Sequence, residues 1–318
     1  VQRLAATKVI HADGTFKCVL PGYAQLYIFH STVEKNVSLP VLFCLVRGKN
    51  EENYVELLGL VEELASEAGL AVFNRHVQLI CDFEQAMIKA VQQHYPSVEV
   101  KCCFFHFTQS IRKRADEAVK AVEKAAGQNA EKIMMIKRVV RRIMMLPLVP
   151  EDLITPELVN LIVSSSAEGR SELLSEVKAF QAYVPTTYVG KRLAHSGTVG
   201  KARYPPALWN LSGMVSRTNN AAESVHAQMN PKVNSNLSVF GFLRLIEEQM
   251  DKTNGRVATE CHSETKAVEK SKNGLLAVEL HKLLKVDQGI LSFLDNRGSV
   301  VQMKTVAEVK KFIPKTLS

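Results

Sequence analysis

Two aspartates in this sequence stand near the ends of strand-like segments. Asp13 lies in the first such segment, residues 7–17, and Asp82 follows the apolar run 77–81. If the first and fourth strands lie side by side and run parallel, both carboxylates emerge at one edge of the sheet and face one cleft. Two close carboxylates repel each other, and a divalent cation such as Mg²⁺ relieves this repulsion while keeping positions for water and phosphate. Joined by a third acid, the pair would suit two-metal phosphoryl transfer.

The best candidate for the third acid is Glu223, in the stretch "RTNNAAESVHAQMN". His226 lies three residues later and therefore shares a helix face with Glu223. Together with Arg217, Asn219 and Asn220 they form a polar cluster at a predicted helix start. The amino terminus of a helix favours phosphate, so we expect this cluster to support the site.

Each acid also has a purely structural interpretation. Asp13 is followed by glycine, and Asp-Gly is a strong turn dipeptide. Asp82 with Gln85 three residues later matches a capping box at a helix start, and Asn220 with Glu223 matches the same pattern. The three positions point to chemistry only if the fold brings them together.

Cys103 and His106 form a CxxH motif on the segment predicted as the fifth strand. Four ligands are needed for a structural zinc site, so the motif alone is a weak zinc signal. The alternative is a pair of buried strand-end residues with a hydrogen-bonded histidine.

Basic side chains follow this motif and could contact DNA phosphates. They are Arg112, Lys113 and Arg114, with Lys137, Arg138, Arg141 and Arg142 in a second cluster. The alternative for the second cluster is a solvated helix face opposite an apolar stripe. Trp209, the only tryptophan, is interpreted as a core anchor rather than a base-stacking platform.

The elements that must position these residues follow the order βββ-α-β-α-β-α over residues 7–126. This order predicts an α/β fold, with a mixed five-stranded sheet flanked by helices. Strand signals vanish from about 120 to 205, which predicts an all-helical insertion before the third acid. The predicted domains are the first part of the core (1–118), the insertion (119–208), the final part of the core (209–255) and a helical tail (256–318).

Composition sets wider limits on the function. The 318 residues include 40 Lys and Arg against 32 Asp and Glu, a net charge of +8 that is compatible with nucleic acid. No apolar run reaches the ~18 residues of a membrane span. The six cysteines form no repeated CxxC framework, which favours reduced thiols. The chain begins almost directly in a strand-like segment, so we expect a fragment of a longer protein.

Four motifs, taken in order, resemble the transposase domain of Mutator-like elements, the MULE family. They are "HADGTFK", "LICDFEQAMIKAV", "CCFFHFTQSI" and "WNLSGMVSRTNNAAESVHAQMN". The resemblance covers roughly residues 7–250. It implies an RNase H-like fold with a helical insertion between the second aspartate and the glutamate. The spacing of Asp82 and Glu223 agrees with such an insertion.

The resemblance also implies a function. Asp13, Asp82 and Glu223 would be the catalytic acids of a DDE transposase and would hold two Mg²⁺ or Mn²⁺ ions. The enzyme would cut DNA at the element ends, and the freed 3′-hydroxyl would attack target DNA. Cys103 and His106 would shape the site or contact DNA. The partners would be transposon ends and target DNA in the nucleus, with a homo-oligomer in the synaptic complex and no membrane. The alternative is a domesticated relative that binds DNA or regulates without catalysis.

Overall fold

The computed structural model of this protein describes residues 1–33, 37–126, 130–166, 182–193, 198–214, 220–229 and 238–260. Its strands are β1 (Val9–Thr15), β2 (Gln25–Val33), β3 (Val37–Val46), β4 (Val77–Cys81) and β5 (Val98–Cys102). Its α-helices are α1 (Gln2–Ala6), α2 (Glu51–Glu67), α3 (Gln85–His94), α4 (Phe104–Ala126), α5 (Ala130–Met144), α6 (Pro156–Ser166), α7 (Pro206–Trp209), α8 (Asn220–Met229) and α9 (Val239–Glu260). None of the described helices combines the length and the apolar character that crossing a bilayer requires.

The five strands form one mixed sheet in the order β3-β2-β1-β4-β5. β2 runs antiparallel to both β1 and β3, whereas β4 runs parallel to β1 and to β5. The carboxyl ends of four strands, all except β2, therefore lie at the same edge. The predicted mixed sheet is confirmed, and β1 and β4 are parallel neighbours, which is the condition under which Asp13 and Asp82 would emerge at one edge.

One strand pair carries an irregularity. The register of β2 and β3 shifts where Phe29 pairs with Leu42 but His30 pairs with Pro40. Val41 is thus the extra residue of a β-bulge in β3, which is an edge strand of the sheet.

Side-chain alternation gives the sheet two different apolar faces. On one face Tyr27 packs edge-on against Tyr54 of α2, with ring centroids 5.7 Å apart. On the other face Leu26 and Ile28 form a core with α8 and α9. That core is completed by buried residues of the two helices, namely Val225, Met229, Phe242 and Leu245. The sheet is therefore covered by helices on both sides.

A buried carboxylate fixes the loop that leads into β4. Glu62 of α2 accepts hydrogen bonds from the backbone N–H groups of Val72 (3.1 Å) and Phe73 (2.7 Å). A carboxylate that accepts several N–H groups holds a loop firmly, because charge-assisted hydrogen bonds are strong. These hydrogen bonds fix the conformation of the loop from which β4 begins.

The described residues divide into two compact units: residues 1–103 with α8 and α9, and residues 104–214. The second unit is helical, apart from an isolated bridge between Arg192 and Val199. Its core contains Trp209, which is fully buried and donates its indole N–H to the carbonyl oxygens of Tyr188 and Tyr204. The interpretation of Trp209 as a core anchor is confirmed.

The helix predicted after the fifth strand begins earlier than expected. The predicted strand 98–107 is wrong beyond Cys102, because α4 begins at Phe104. Phe107, Ile111 and Ala115 are buried at four-residue intervals, so the helical period decides the structure of the aromatic run. The predicted helical tail after 260 lies outside the described residues, and the predicted domain limits stay predictions.

Candidate active site

Asp13 is a buried acid in the middle of the sheet, with an exposed fraction of 5%. It lies within β1, so the turn interpretation of Asp-Gly is wrong. A Cβ at Gly14 would come within 2.5 Å of Oε1 of Gln25, so this glycine allows close packing rather than a turn. The Oδ1 atom of Asp13 accepts the N–H of Gly14 at 2.9 Å.

Asp82 directly follows β4, the parallel neighbour of the strand that holds Asp13. The last pair in the register joins His11 to Ile80, and each aspartate stands two residues beyond its member of that pair. If strand alternation continues one residue past Cys81, both acids lie on the same face of strands about 4.8 Å apart. The backbones of Asp13 and Asp82 thus lie at one edge of the sheet.

The capping-box interpretation of Asp82 is wrong. Helix α3 begins at Gln85, and its N-cap residue is Glu84, whose side chain does not cap the helix. The carboxylate of Asp82 instead accepts the N–H of Phe83 through Oδ1. Both aspartates are therefore held through Oδ1 by the backbone N–H of the following residue, which limits their rotation.

Helix α8 brings the third candidate toward the same face. Val225 and Met229 anchor α8 in the core below β2 and β3. The Nδ1 atom of His226 lies 3.6 Å from Oδ2 of Asp13. Glu223 precedes His226 by three residues, about one turn of the same helix.

Several predicted residues fall outside what the structure describes. Arg217 and Asn219 lie outside the described residues, as do the side chains of Asn220 and Glu223. The described helix already includes Asn220 as its first residue, rather than beginning after it. In the described part of the chain, which lacks the Glu223 side chain, no group of three or more His, Cys, Asp or Glu is arranged to hold a metal ion.

Two further histidines lie on the Asp13 face of the sheet. His11 and His30 are cross-strand partners in β1 and β2, and both are fully buried. Burial lowers the pKa of His11 to about 4. Burial, reinforced by His11 and His226, lowers the pKa of His30 to about 3. Both rings are neutral at pH 7, so they add no positive charge beside the acids.

A second polar network lies on the opposite face at the same edge. Tyr54 donates a hydrogen bond to Oε2 of Glu84, and Gln25 donates to the hydroxyl of Tyr54 at 2.8 Å. Burial raises the pKa of Glu84, and the charge of Asp82 raises it further. The network was not predicted, because Gln25, Tyr54 and Glu84 are distant in sequence and no motif joins them.

The CxxH motif is split between two kinds of structure. Cys103 is fully buried just after β5, and its N–H donates to the carbonyl of Cys81 at 2.8 Å. His106 lies in the first turn of α4 and is partly buried. The two residues fall in different compact units. The prediction that both stand on a strand is wrong.

The predicted basic residues have different environments. Arg112, Lys113 and Arg114 are exposed on α4, and Arg114 forms an ion pair with Glu117 at 2.7 Å. Arg142 is buried and donates to the hydroxyl of Ser165, so its place in an exposed basic cluster is wrong. Lys137 and Arg141 line a groove of about 450 Å³ between α4 and α5, together with Arg112.

The comparison with protein families bears on the strands that carry both aspartates. The family model described as the MULE transposase domain matches residues 9–110, from β1 to the first turns of α4. No curated protein matches the chain. Residues 9–110 of this chain are therefore similar to the MULE transposase domain, as three of the four motifs predicted.

Proposed function

We propose that the chain is the catalytic part of a DDE-type DNA transposase, with Asp13, Asp82 and Glu223 as its acids. The observation that supports this best is the parallel register of β1 and β4, which sets Asp13 level with Asp82. Helix α8 adds support, since it carries Glu223 and approaches Asp13 through His226. All three positions belong to the same compact unit.

The architecture is consistent with an RNase H-like fold, which is part of the proposal. Three antiparallel strands are followed by two parallel strands, with helices on both faces of the sheet. We interpret the helices between residues 104 and 209 as the insertion that separates Asp82 from Glu223 in the sequence. The sheet edge at the carboxyl ends of parallel strands is the usual place for a ligand in α/β proteins.

The donor atoms fit the metal that the family implies. Asp13 and Asp82 supply carboxylate oxygens, which are the ligands that Mg²⁺ and Mn²⁺ prefer, and Glu223 would supply a third carboxylate. When bound, two such ions would neutralise charge on the reacting phosphate and activate the attacking oxygen.

The chain's own groups position these acids. The N–H groups of Gly14 and Phe83 each hold one oxygen of the preceding aspartate. His226 approaches the other oxygen of Asp13. Carboxylates held in this way need less rearrangement when a phosphate arrives, and such preorganisation lowers the barrier of phosphoryl transfer.

The substrate that suits this proposal is DNA. Water would cut the strand at the transposon end, and the freed 3′-hydroxyl would then attack target DNA in a second displacement. Exposed Arg112 and Lys113 of α4 would contact phosphates. We further propose a nuclear location and a homo-oligomer that holds two DNA ends together.

A nicking assay on supercoiled plasmid with Mg²⁺ tests the proposal. We expect Asp82→Asn to lower the nicking rate by at least about a hundredfold, because transition-state stabilisation by the site is lost. Asp152→Asn, an exposed aspartate of the helical unit, is the matched control and should nick like wild type. Equal nicking by wild type and Asp82→Asn, or none by either, would contradict the catalytic proposal. The alternative of a non-catalytic DNA-binding protein would then be favoured.

A further inference from the structure

The sheet edge that carries the acids also carries an exposed aromatic ring and three exposed cations. Phe16 and Lys17 follow β1, and Arg47 and Lys49 follow β3. β1 and β3 run in the same direction because both are antiparallel to β2, so the two loops leave the sheet at one edge. These four residues are called the ledge below.

The central pair of the ledge is Phe16 with Lys49. The Nζ atom of Lys49 lies 3.3 Å from the centroid of the Phe16 ring, which is a close cation–π contact. The exposed fraction of Phe16 is 52%, so the side chain is not part of the core. One ring face is covered by the ammonium group and much of the rest of the side chain meets solvent.

The ledge adjoins the acids. Phe16 stands three residues after Asp13 along the chain. Phe16 is the residue immediately after the last residue of β1, Thr15. A DNA strand that lies on the ledge therefore passes the end of β1, about 10 Å of extended chain beyond Asp13.

The chemistry of the ledge matches one kind of ligand. Lysine and arginine side chains attract phosphate groups and release counterions from nucleic acid. An exposed aromatic ring offers a surface on which a base can stack, whatever the base. The bases of a duplex already stack on their neighbours, so a protruding ring favours an unpaired nucleotide.

We propose that the ledge binds an unpaired stretch of the DNA strand that leads to the acids. Phe16 stacks on one base with the ring face opposite Lys49, and Lys17, Arg47 and Lys49 contact the adjoining phosphates. The inference rests on the proposed function, because it names the part of the DNA substrate that this edge receives. It assigns a role to Phe16 and Lys49 beyond the three acids.

Equilibrium binding tests the stacking step without chemistry. The full chain with Asp82→Asn, in the absence of divalent metal, is titrated with two probes: a blunt duplex and the same duplex with a single-stranded 3′ flank containing 2-aminopurine. We expect Phe16→Ala to weaken binding of the flanked probe about tenfold and to abolish the quenching of 2-aminopurine. Binding of the blunt duplex should not change. Phe16→Trp should retain both signals.

Two matched controls accompany this test. Phe240→Ala removes another exposed aromatic ring, at the start of α9, and should leave both probes bound as before. Lys49→Gln should reduce the slope of log affinity against log salt by about 0.7 on the flanked probe. Lys8→Gln, at the opposite end of β1, should leave that slope unchanged.

Three outcomes would overturn the inference: equal affinity of Phe16→Ala and its parent for both probes, an equal loss on both probes, or no binding of the flanked probe by the parent. The measurement is separate from the nicking assay. If Asp82→Asn does not change nicking, the catalytic proposal is wrong. The binding measurements would still test the ledge independently.

Discussion

At the scale of single residues, the orientation of each aspartate carboxylate is set by the backbone N–H of the residue that follows it. The N–H groups of Gly14 and Phe83 each engage one carboxylate oxygen. Their strand-end placement could be predicted from the apolar runs before them. The turn interpretation failed because Gly14 continues β1 and pairs with Tyr27 of β2, a cross-strand pairing that no local pattern shows.

The buried histidines make stability depend on pH. His11 and His30 have pKa values of about 4 and about 3 in the folded chain, against 6.5 for an ordinary histidine. Between pH 6.5 and about 4 the unfolded chain therefore binds protons that the folded chain does not. The free energy of unfolding should fall as pH falls through this range, by up to about 1.4 kcal/mol per pH unit for each histidine.

Urea unfolding from pH 7 to pH 4 measures this dependence. His30→Gln should show a shallower loss of stability than wild type, since one buried titrating ring is gone. His94→Gln, an exposed histidine in the last turn of α3, is the control and should keep the wild-type slope. Identical slopes for wild type and His30→Gln would contradict the assignment.

At the scale of elements, apolar periodicity predicts where the strands and helices lie. Their ends are harder to predict where the same residues suit both a strand and a helix. The five strands and the long helices could be predicted from alternation and from the 3.6-residue period. The start of α4 could not, because "CCFFHF" suits a strand as well as a helix, and only the buried positions of Phe107 and Ile111 decide it. The polar network of Glu84 could not be predicted from the sequence either, because it depends on which strands are neighbours in the sheet.

Helix α8 should be a point where packing controls activity. Met229 is fully buried in the core that α8 shares with β2 and β3. Met229→Ala should lower the free energy of unfolding by about 2–5 kcal/mol, because it removes buried apolar area and leaves a cavity. It should also reduce nicking at temperatures where the protein stays folded, since α8 carries Glu223 and His226.

Thermal unfolding and the plasmid assay together check this prediction. Gln228→Ala changes an exposed neighbour on the same helix and should alter neither quantity appreciably. A Met229→Ala variant that is destabilised yet nicks at the full wild-type rate would separate the packing of α8 from the site.

At the scale of the whole molecule, the net charge of +8 predicts DNA binding that weakens with salt. Arg112 is exposed on α4 and lines the groove beside α5, so we expect it to contact phosphate. Arg112→Gln should lower the slope of log affinity against log salt by about 0.9 on duplex DNA. Fluorescence anisotropy over a salt series measures the slope. Lys89→Gln, exposed on α3, should match wild type, and an unchanged slope in Arg112→Gln would place the DNA elsewhere.

The bulge in β3 has a consequence for how copies of this chain can meet. β3 is an outer strand, and Pro40 at the bulge has no N–H to offer to another strand. The extra residue Val41 also bends the outer rim away from a straight line. Two copies are thereby discouraged from pairing their sheets through β3, so copies that meet at this edge should do so through side-chain contacts.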